Sequence, residues 1–235
     1  MNHFDFLAGE TLLVDKPYGW TSFDVVNKIR WNLKQALKIK NIKVGHAGTL
    51  DPLATGLLIV CTGKHTKRID ELMSVTKTYT GTFLVGKTTP SFDLETEFDT
   101  HFEIDHITPE MMENVRLTFL GESDQMPPIF SAKQIGGKRA YDLARSGKTV
   151  ELKKNKIEIS DFTILVERFP EIDFELTCSK GTYIRSIAHD FGEKLQSGAT
   201  LINLRRTNSG AHSIENSRSV EDWIAIIRNH SLINS

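Results

Sequence analysis

Alternating apolar and polar residues predict several β-strands along this chain. Strict alternation over four to eight residues is typical of a half-buried strand, and an unbroken apolar run is typical of a buried one. Such runs lie at residues 11–15, 56–60, 77–85, 156–166, 172–178 and 199–207. The turn at Phe169-Pro170 separates two of these runs, which we expect to pair as a meander.

Apolar residues three or four positions apart predict longer helices, each preceded by a residue that can cap it. These helices begin after Thr21, Thr108, Thr182 and Ser219. Gly121 is expected to end the second. Strands and helices do not alternate strictly, so the pattern predicts an α+β fold with a largely antiparallel mixed sheet flanked by helices.

Composition indicates an ordinary globular protein. The chain has 235 residues, 39% of them hydrophobic and 25% charged, with a net charge of −1. It is long enough to bury a sizeable core. No apolar run is long enough to cross a bilayer, and the first residues do not resemble a secretory signal. The two cysteines stand apart without metal-ligand spacing, as expected of a cytoplasmic protein with reduced thiols.

Charge is unevenly distributed along the chain. Residues 91–124 contain ten acids and one base, whereas residues 133–156 contain eight bases and two acids. One side of the molecule therefore attracts a polyanion while another repels it, although such runs are also typical of a solvated face.

The stretch at residues 44–60 contains glycines, which adopt many backbone conformations, and one proline, which restricts the backbone. Gly45 and Gly48 bracket His46, and Asp51 directly precedes Pro52. Proline fixes its own φ and keeps the preceding residue out of the helical region, so the backbone holds the Asp51 carboxylate in place. The alternative interpretation is an Asx-turn, in which Asp51 caps its own backbone.

Several segments of the chain, in order, together resemble the TruB family of tRNA pseudouridine-55 synthases. They are KPYGWTS (16–22), GHAGTLDPLATG (45–56), KTY (77–79), QMPP (125–128), SAK (131–133), CSKGTYIR (178–185) and LRRT (204–207). The resemblance implies the pseudouridine synthase fold with a central RNA-binding cleft. It implies a catalytic domain over residues 1–215 with a thumb-like insertion at about 124–152. Residues 216–235 are expected to form a C-terminal helix, without the PUA domain that many family members carry.

The resemblance implies that a uridine at position 55, in the T-loop of tRNA, is isomerised to pseudouridine. The bond between ribose C1′ and uracil N1 breaks, the base rotates, and C5 is attached instead. Because no redox step occurs, neither a cofactor nor a metal is expected. The expected partner is the T-arm stem-loop of tRNA, bound by a monomer that needs no membrane, protein partner or guide RNA.

The resemblance assigns catalytic roles to three residues. Asp51 is expected to act as a nucleophile at the sugar or base, or as the carboxylate that stabilises or deprotonates a sugar intermediate. Arg185 is expected to pair with Asp51, although a first-turn arginine otherwise points at solvent or a cleft. Tyr79 is expected to stack on the extruded base, and its alternative role is to fill the core from a strand.

Further residues are expected to contact the RNA. They are His46, Lys67, Asp93, Lys133, Lys148 and Leu204. His46 would stack on the displaced loop or bind phosphate, and Leu204 would form the apolar wall of the uracil pocket. Lys133 and Lys148 belong to the thumb, which is expected to close over the phosphate backbone. Lys16 and Pro17 are expected to support the site rather than touch substrate.

Three other functions remain open at this point. A guide-RNA-dependent pseudouridine synthase has a similar core but relies on the C-terminal domain that is not expected here. A non-catalytic tRNA chaperone would not need Asp51 beside Arg185. An aspartate-dependent glycosidase would need a second carboxylic acid, and the matched segments show none.

Overall fold

The computed structural model describes residues 4–129, 134–135, 138–139 and 153–233. The chain divides into two compact units. The first comprises Met1–Tyr79 and Arg205–Ser235, and the second comprises Thr80–Leu204. Most of the thumb-like insertion predicted at about 124–152 lies outside the described residues, as do Lys133 and Lys148.

The described residues contain five α-helices and fourteen short or long strands. The helices are α1 (Ser22–Ala36), α2 (Ile69–Met73), α3 (Pro109–Leu117), α4 (Ile184–Lys194) and α5 (Val220–Ile233). The strands are β1 (Thr11–Lys16), β2 (Val44–Ala47), β3 (Thr55–Thr62), β4 (Lys77–Val85), β5 (Lys87–Thr88), β6 (Thr100–His101), β7 (Gly121–Gln125), β8 (Gln134–Ile135), β9 (Lys138–Arg139), β10 (Asn155–Leu165), β11 (Glu171–Cys178), β12 (Ala199–Ser209), β13 (His212–Ser213) and β14 (Arg218–Ser219). Within the described residues, no helix is long and apolar enough to cross a membrane.

The predicted α+β class is confirmed, because helices accompany a large and mostly antiparallel sheet. The predicted meander is present, with β10 and β11 paired antiparallel around a cis peptide bond at Phe169-Pro170. Two pairs, β1 with β14 and β3 with β12, are parallel, so the sheet is mixed.

In the first unit the strand order is β14–β1–β3–β12, and β2 also pairs with β3. Helix α1 begins with a capping box in which Thr21 Oγ1 accepts from Asp24 N at 3.0 Å and Thr21 N donates to Asp24 Oδ2 at 2.8 Å. One face of α1 is buried through Val25, Ile29 and Leu33. These side chains join apolar residues of β1, β3 and α5 in one core.

In the second unit the order is β4–β11–β10–β7. Its core contains a cluster of phenylalanine rings whose centroids lie 4.3–6.4 Å apart in the pairs that touch. The rings are Phe83, Phe119, Phe162, Phe174 and Phe191. Phe162 is fully buried and touches the other four, which makes it the centre of the cluster.

Three local details differ from the sequence predictions. Helix α3 ends at Leu117 rather than at Gly121, because the Thr118 amide caps it and Gly121, at φ +92°, starts β7. Strand β7 was not predicted, since it is short and polar. His46, for which no strand was predicted, lies in β2 opposite Val60. Strands β2 and β7 are stabilised by pairing with another strand of the folded sheet. A short polar sequence does not show this pairing.

We predict that Phe162→Ala lowers the free energy of unfolding by about 3–5 kcal/mol, because it removes the centre of the aromatic cluster and leaves a cavity. Urea unfolding measures this change. Phe98→Ala is the matched control, since Phe98 is 38% exposed. An equal loss in the two variants would contradict the assignment of the core.

Candidate active site

Asp51 lies on a tight loop of the first unit between β2 and β3, here called the Asp51 loop (residues 48–54). Its side chain is half-buried. Ala54 N donates to Asp51 O at 3.1 Å and closes a turn, while Gly19 N donates to Pro52 O at 2.9 Å. The loop is therefore fixed through its main chain at Asp51 and at the residue that follows it.

The buried side chain of Lys16 binds this loop. The residue has 0% of its surface exposed. Its Nζ donates to Trp20 O at 2.6 Å, to Pro17 O at 2.9 Å and to Pro52 O at 3.3 Å. One buried ammonium thus joins the segment after β1 to the Asp51 loop. Its three donors match three carbonyl acceptors, which is what burial of a charge requires.

Arg206 and Ser22 hold the loop at its first residues. Arg206, 1% exposed, donates through Nη2 to Gly48 O at 3.0 Å and through Nε to Leu57 O at 2.7 Å. Ser22 Oγ donates to Leu50 O at 3.1 Å and accepts from Leu50 N at 2.9 Å. Buried polar side chains therefore bind the loop main chain on either side of Thr49.

Gly56 is required where the loop enters β3. Its φ is +101°, and a Cβ at this position would stand 2.3 Å from Arg206 O. Arg206 pairs with Gly56 in the parallel ladder between β12 and β3. The absence of a side chain therefore lets β12 approach closely enough for Arg206 to reach the Asp51 loop.

Burial shifts the pKa of two basic groups beside this loop. It lowers the pKa of Lys16 to about 8, although the nearby Asp51 and Asp24 carboxylates oppose the shift. Burial, followed by the charge of Arg206, also lowers the pKa of His46. His46 is therefore neutral near pH 7. Its Nδ1 has no hydrogen-bond partner among the described residues.

The other first-unit candidates lie on separate elements. Tyr79 is 8% exposed on β4, in the predicted strand. Lys67 is exposed in a 3-10 turn over Gly63–Arg68. The burial of Tyr79 leaves both of its predicted roles, base stacking and core filling, compatible with the structure.

In the second unit Arg185 is buried rather than directed at solvent, with 4% of its surface exposed on the first turn of α4. Its Nε lies 3.6 Å from Asp93 Oδ2, and its Nη1 donates to Ser91 O at 3.3 Å. Asp93 Oδ1 accepts from Ser91 Oγ at 2.6 Å and from Glu95 N at 3.0 Å. Arg185 and Asp93 thus form a buried ion pair that orders the acidic loop, while direct contact of Asp93 with RNA stays a prediction.

Helix α4 and strand β12 hold the same acidic loop at Phe92. The Phe92 ring, on a residue with φ +66°, stacks on His189 of α4 at 4.0 Å between centroids. Phe92 O accepts from Leu201 N at 2.9 Å. Leu204, predicted to line the uracil pocket, is 8% exposed on the same strand.

One group of side chains in the described part of the chain has metal-ligand spacing, with ligand atoms within 4.8 Å of one another. It comprises His189, Asp190 and Glu193 of α4. Burial raises the pKa of Asp190, and His189 Nε2 lies 3.6 Å from Glu193 Oε1. These residues were not among the sequence candidates.

Comparison with known proteins identifies the family. The model for "TruB family pseudouridylate synthase (N terminal domain)" matches residues 34–184. The chain belongs to the TruB family. It is 54% identical to "tRNA pseudouridine synthase B" of Parabacteroides distasonis over 93% of both chains, and 51% identical to the protein of that name from Flavobacterium johnsoniae over 90% of this chain and 93% of the relative. The resemblance inferred from the motifs is confirmed.

Solved structures show the same fold for this TruB-family chain. "Crystal Structure of a Cbf5-Nop10-Gar1 Complex" matches with a TM-score of 0.70 at 24% identity, over 96% of this chain. "Crystal structure of the archaeal box H/ACA sRNP Nop10-Cbf5 complex" matches with a TM-score of 0.68 at 23% identity, over 98% of this chain. This chain spans 60% and 57% of those two matched chains. The predicted pseudouridine synthase fold is thereby confirmed.

Sequence reasoning did not predict how this TruB-family chain holds its loop. Lys16 was expected to support the site, but Ser22 and Arg206 were considered only as parts of the matched segments. The available signal was a basic residue within a predicted strand. Such a residue either is exposed to solvent or donates hydrogen bonds to buried carbonyls. The sequence does not distinguish these two cases.

We predict that the stability contributed by Lys16 rises with pH. An unfolded lysine keeps its proton up to about pH 10.5, whereas folded Lys16 loses it near pH 8. Between these values the unfolded state binds more protons, so the free energy of unfolding increases with pH. The measurement is urea unfolding of the wild type and of Lys16→Met from pH 7 to 10. The difference between the two should shift in favour of the wild type as pH rises, and a flat or falling difference would contradict burial of the charged amine.

Proposed function

We propose that this protein isomerises uridine to pseudouridine in tRNA, at position 55 of the T-loop. We further propose that it acts in the cytoplasm as a monomer, without cofactor, guide RNA or protein partner. One observation carries the proposal. Asp51 stands on a loop fixed by Lys16, Ser22 and Arg206, in a chain 54% identical to a protein named tRNA pseudouridine synthase B.

The proposed chemistry needs a carboxylate in a fixed position. The C1′–N1 bond breaks and a C1′–C5 bond forms, while C5 loses a proton and N1 gains one, so the reaction balances without a redox partner. Asp51 acts either as a nucleophile or by stabilising or deprotonating a sugar intermediate. Both roles depend on holding the carboxylate to within a fraction of an ångström of its productive position beside the sugar, and a loop bound by buried donors favours such precision.

The proposal also requires the uridine to leave its stack. Extruding a base costs a few kcal/mol, and an aromatic face returns about 1–3 kcal/mol of that cost. Tyr79 is the candidate aromatic, and Leu204 the candidate apolar wall. Both are largely buried side chains at strand positions, where the fold restricts their rotamers.

The lowered pKa of His46 favours one of its two predicted roles, stacking on the RNA loop, over the binding of phosphate. A neutral imidazole stacks on a base or forms a directed hydrogen bond, whereas binding to phosphate by charge would need the protonated form. We therefore propose that His46 contacts the displaced RNA loop as a neutral ring. Charge attraction to phosphate is assigned instead to exposed lysines such as Lys67, Lys153 and Lys154. Lys133 and Lys148 are proposed to add to it from the thumb.

We predict that Asp51→Asn abolishes pseudouridine formation while tRNA binding is kept, because the substitution removes the charge and preserves the shape. The assay incubates the purified protein alone with an unmodified T-arm stem-loop and maps pseudouridine. Asp70→Asn is the matched control, since Asp70 is an exposed acid of the same unit. Activity in Asp51→Asn would contradict the proposal, and release of free uracil by the wild type would indicate a glycosidase.

We predict that Arg185→Lys lowers kcat by about 10²-fold or more, because lysine keeps the charge but loses the planar fork that suits a carboxylate. The family resemblance assigns Arg185 to Asp51, and that pairing stays a prediction. Single-turnover rates with saturating RNA measure the effect, with circular dichroism to confirm folding. An unchanged rate in a folded variant would restrict Arg185 to holding the acidic loop through Asp93.

A further inference from the structure

All the charged residues between positions 25 and 50 are basic. It contains six bases and no acid, in a chain whose net charge is −1. The bases are Lys28, Arg30, Lys34, Lys38, Lys40 and Lys43. Four of them, Lys28, Lys38, Lys40 and Lys43, are exposed. A positive region of this kind on a near-neutral protein is the electrostatic signature of contact with a polyanion.

Large aromatic side chains are exposed in this segment and just before it. Tyr18 is 63% exposed, Phe23 58% and Trp31 55%. Helix α1 buries its opposite face in the core, so these rings occupy its solvent side and the turn before it. Exposed aromatic rings among bases are typical of surfaces that stack on nucleotide bases, and they are unusual on an inert solvated helix.

An open pocket of about 640 Å³ lies beside two of these groups, Lys28 and Trp31. Its lining consists of Gly19, Trp20, Asp24, Asn27, Lys28 and Trp31. Asp24, the acid in this lining, accepts hydrogen bonds from Thr21 N and Thr21 Oγ1 at the start of α1. Gly19 N donates to Pro52 O at 2.9 Å, so the pocket adjoins the Asp51 loop of the same unit.

We propose that this region, the α1 surface (Tyr18, Phe23, Lys28, Trp31, Lys38, Lys40 and Lys43), is an additional RNA-binding surface that holds an unstacked nucleotide of the substrate tRNA. The base stacks on Trp31 in the pocket, and Lys28 contacts its phosphate. The lysines that follow α1 contact neighbouring phosphates. This inference rests on the proposed function, since it takes tRNA as the ligand.

Charge argues for RNA and against a second copy of this chain. In a two-fold dimer the same surface patch meets itself, so the basic segment would face an identical basic segment. Such like-charge contact disfavours association. Phosphates instead neutralise the lysines, and stacked bases cover the exposed rings.

The test measures the affinity of an unmodified full-length tRNA transcript at several salt concentrations. Trp31→Ala should weaken binding by about fivefold or more, the equivalent of one stacked base, while Trp31→Phe should keep most of the affinity. The double variant Lys28→Gln with Lys40→Gln should reduce the slope of log affinity against log salt by about 1.5, since each phosphate contact contributes about 0.7–0.9.

The matched control is the double variant Lys87→Gln with Lys194→Gln, which removes the same charge from the second unit. It should leave the salt slope of the wild type unchanged. Pseudouridine formation by the wild type is mapped in parallel, so that failure of the proposed function is seen separately. The inference is overturned if an active wild type and the α1-surface variants bind tRNA equally, if the control lowers the slope as much, or if Trp31→Ala only dissociates a dimer.

Discussion

Two buried cations that bind main-chain carbonyls, Lys16 and Arg206, hold the Asp51 loop in its shape. Lys16 and Arg206 come from opposite ends of the first unit's sequence, and each donates to the Asp51 loop and to a neighbouring segment. Burying a charge is costly unless every donor finds an acceptor. Pro52 O and Gly48 O of the loop are among those acceptors, so burial of the two cations is linked to the position of the loop.

In this arrangement, the groups that position the Asp51 loop bind its main chain. Asp51 is half-buried on a loop whose main chain is bound at Asp51 O and Pro52 O. The acidic loop of the second unit follows the same principle, with Arg185 and His189 holding residues 91–93 from one helix. In both units a buried cation orders a loop by binding its carbonyl or carboxylate oxygen atoms. The helix or strand that carries the cation is rigid, and this rigidity fixes the position of the loop.

Sequence patterns predicted the periodic parts of this fold and the residues with family motifs. The helices α1, α4 and α5 and the strands β4, β10 and β11 follow from spacing, because buried apolar residues recur on one face of each, in α5 at Val220, Trp223 and Ile227. Strand β2 was not predicted, since it has only four residues, and the end of α3 was expected at Gly121, which instead starts β7. The role of Arg206 was also missed, because a strand pattern does not show whether a basic side chain meets buried carbonyls or solvent.

The central claim is that Arg206 and Lys16 fix the Asp51 loop, and amide hydrogen exchange tests it most directly. The measurement compares the wild type with Arg206→Met at the amides of Leu50 and Ala54, which bond to Ser22 Oγ and Asp51 O. Val60 in the buried strand β3 is the internal reference. The account predicts faster exchange at Leu50 and Ala54 with Val60 unchanged. Equal protection of Leu50 and Ala54 in the two proteins would contradict it.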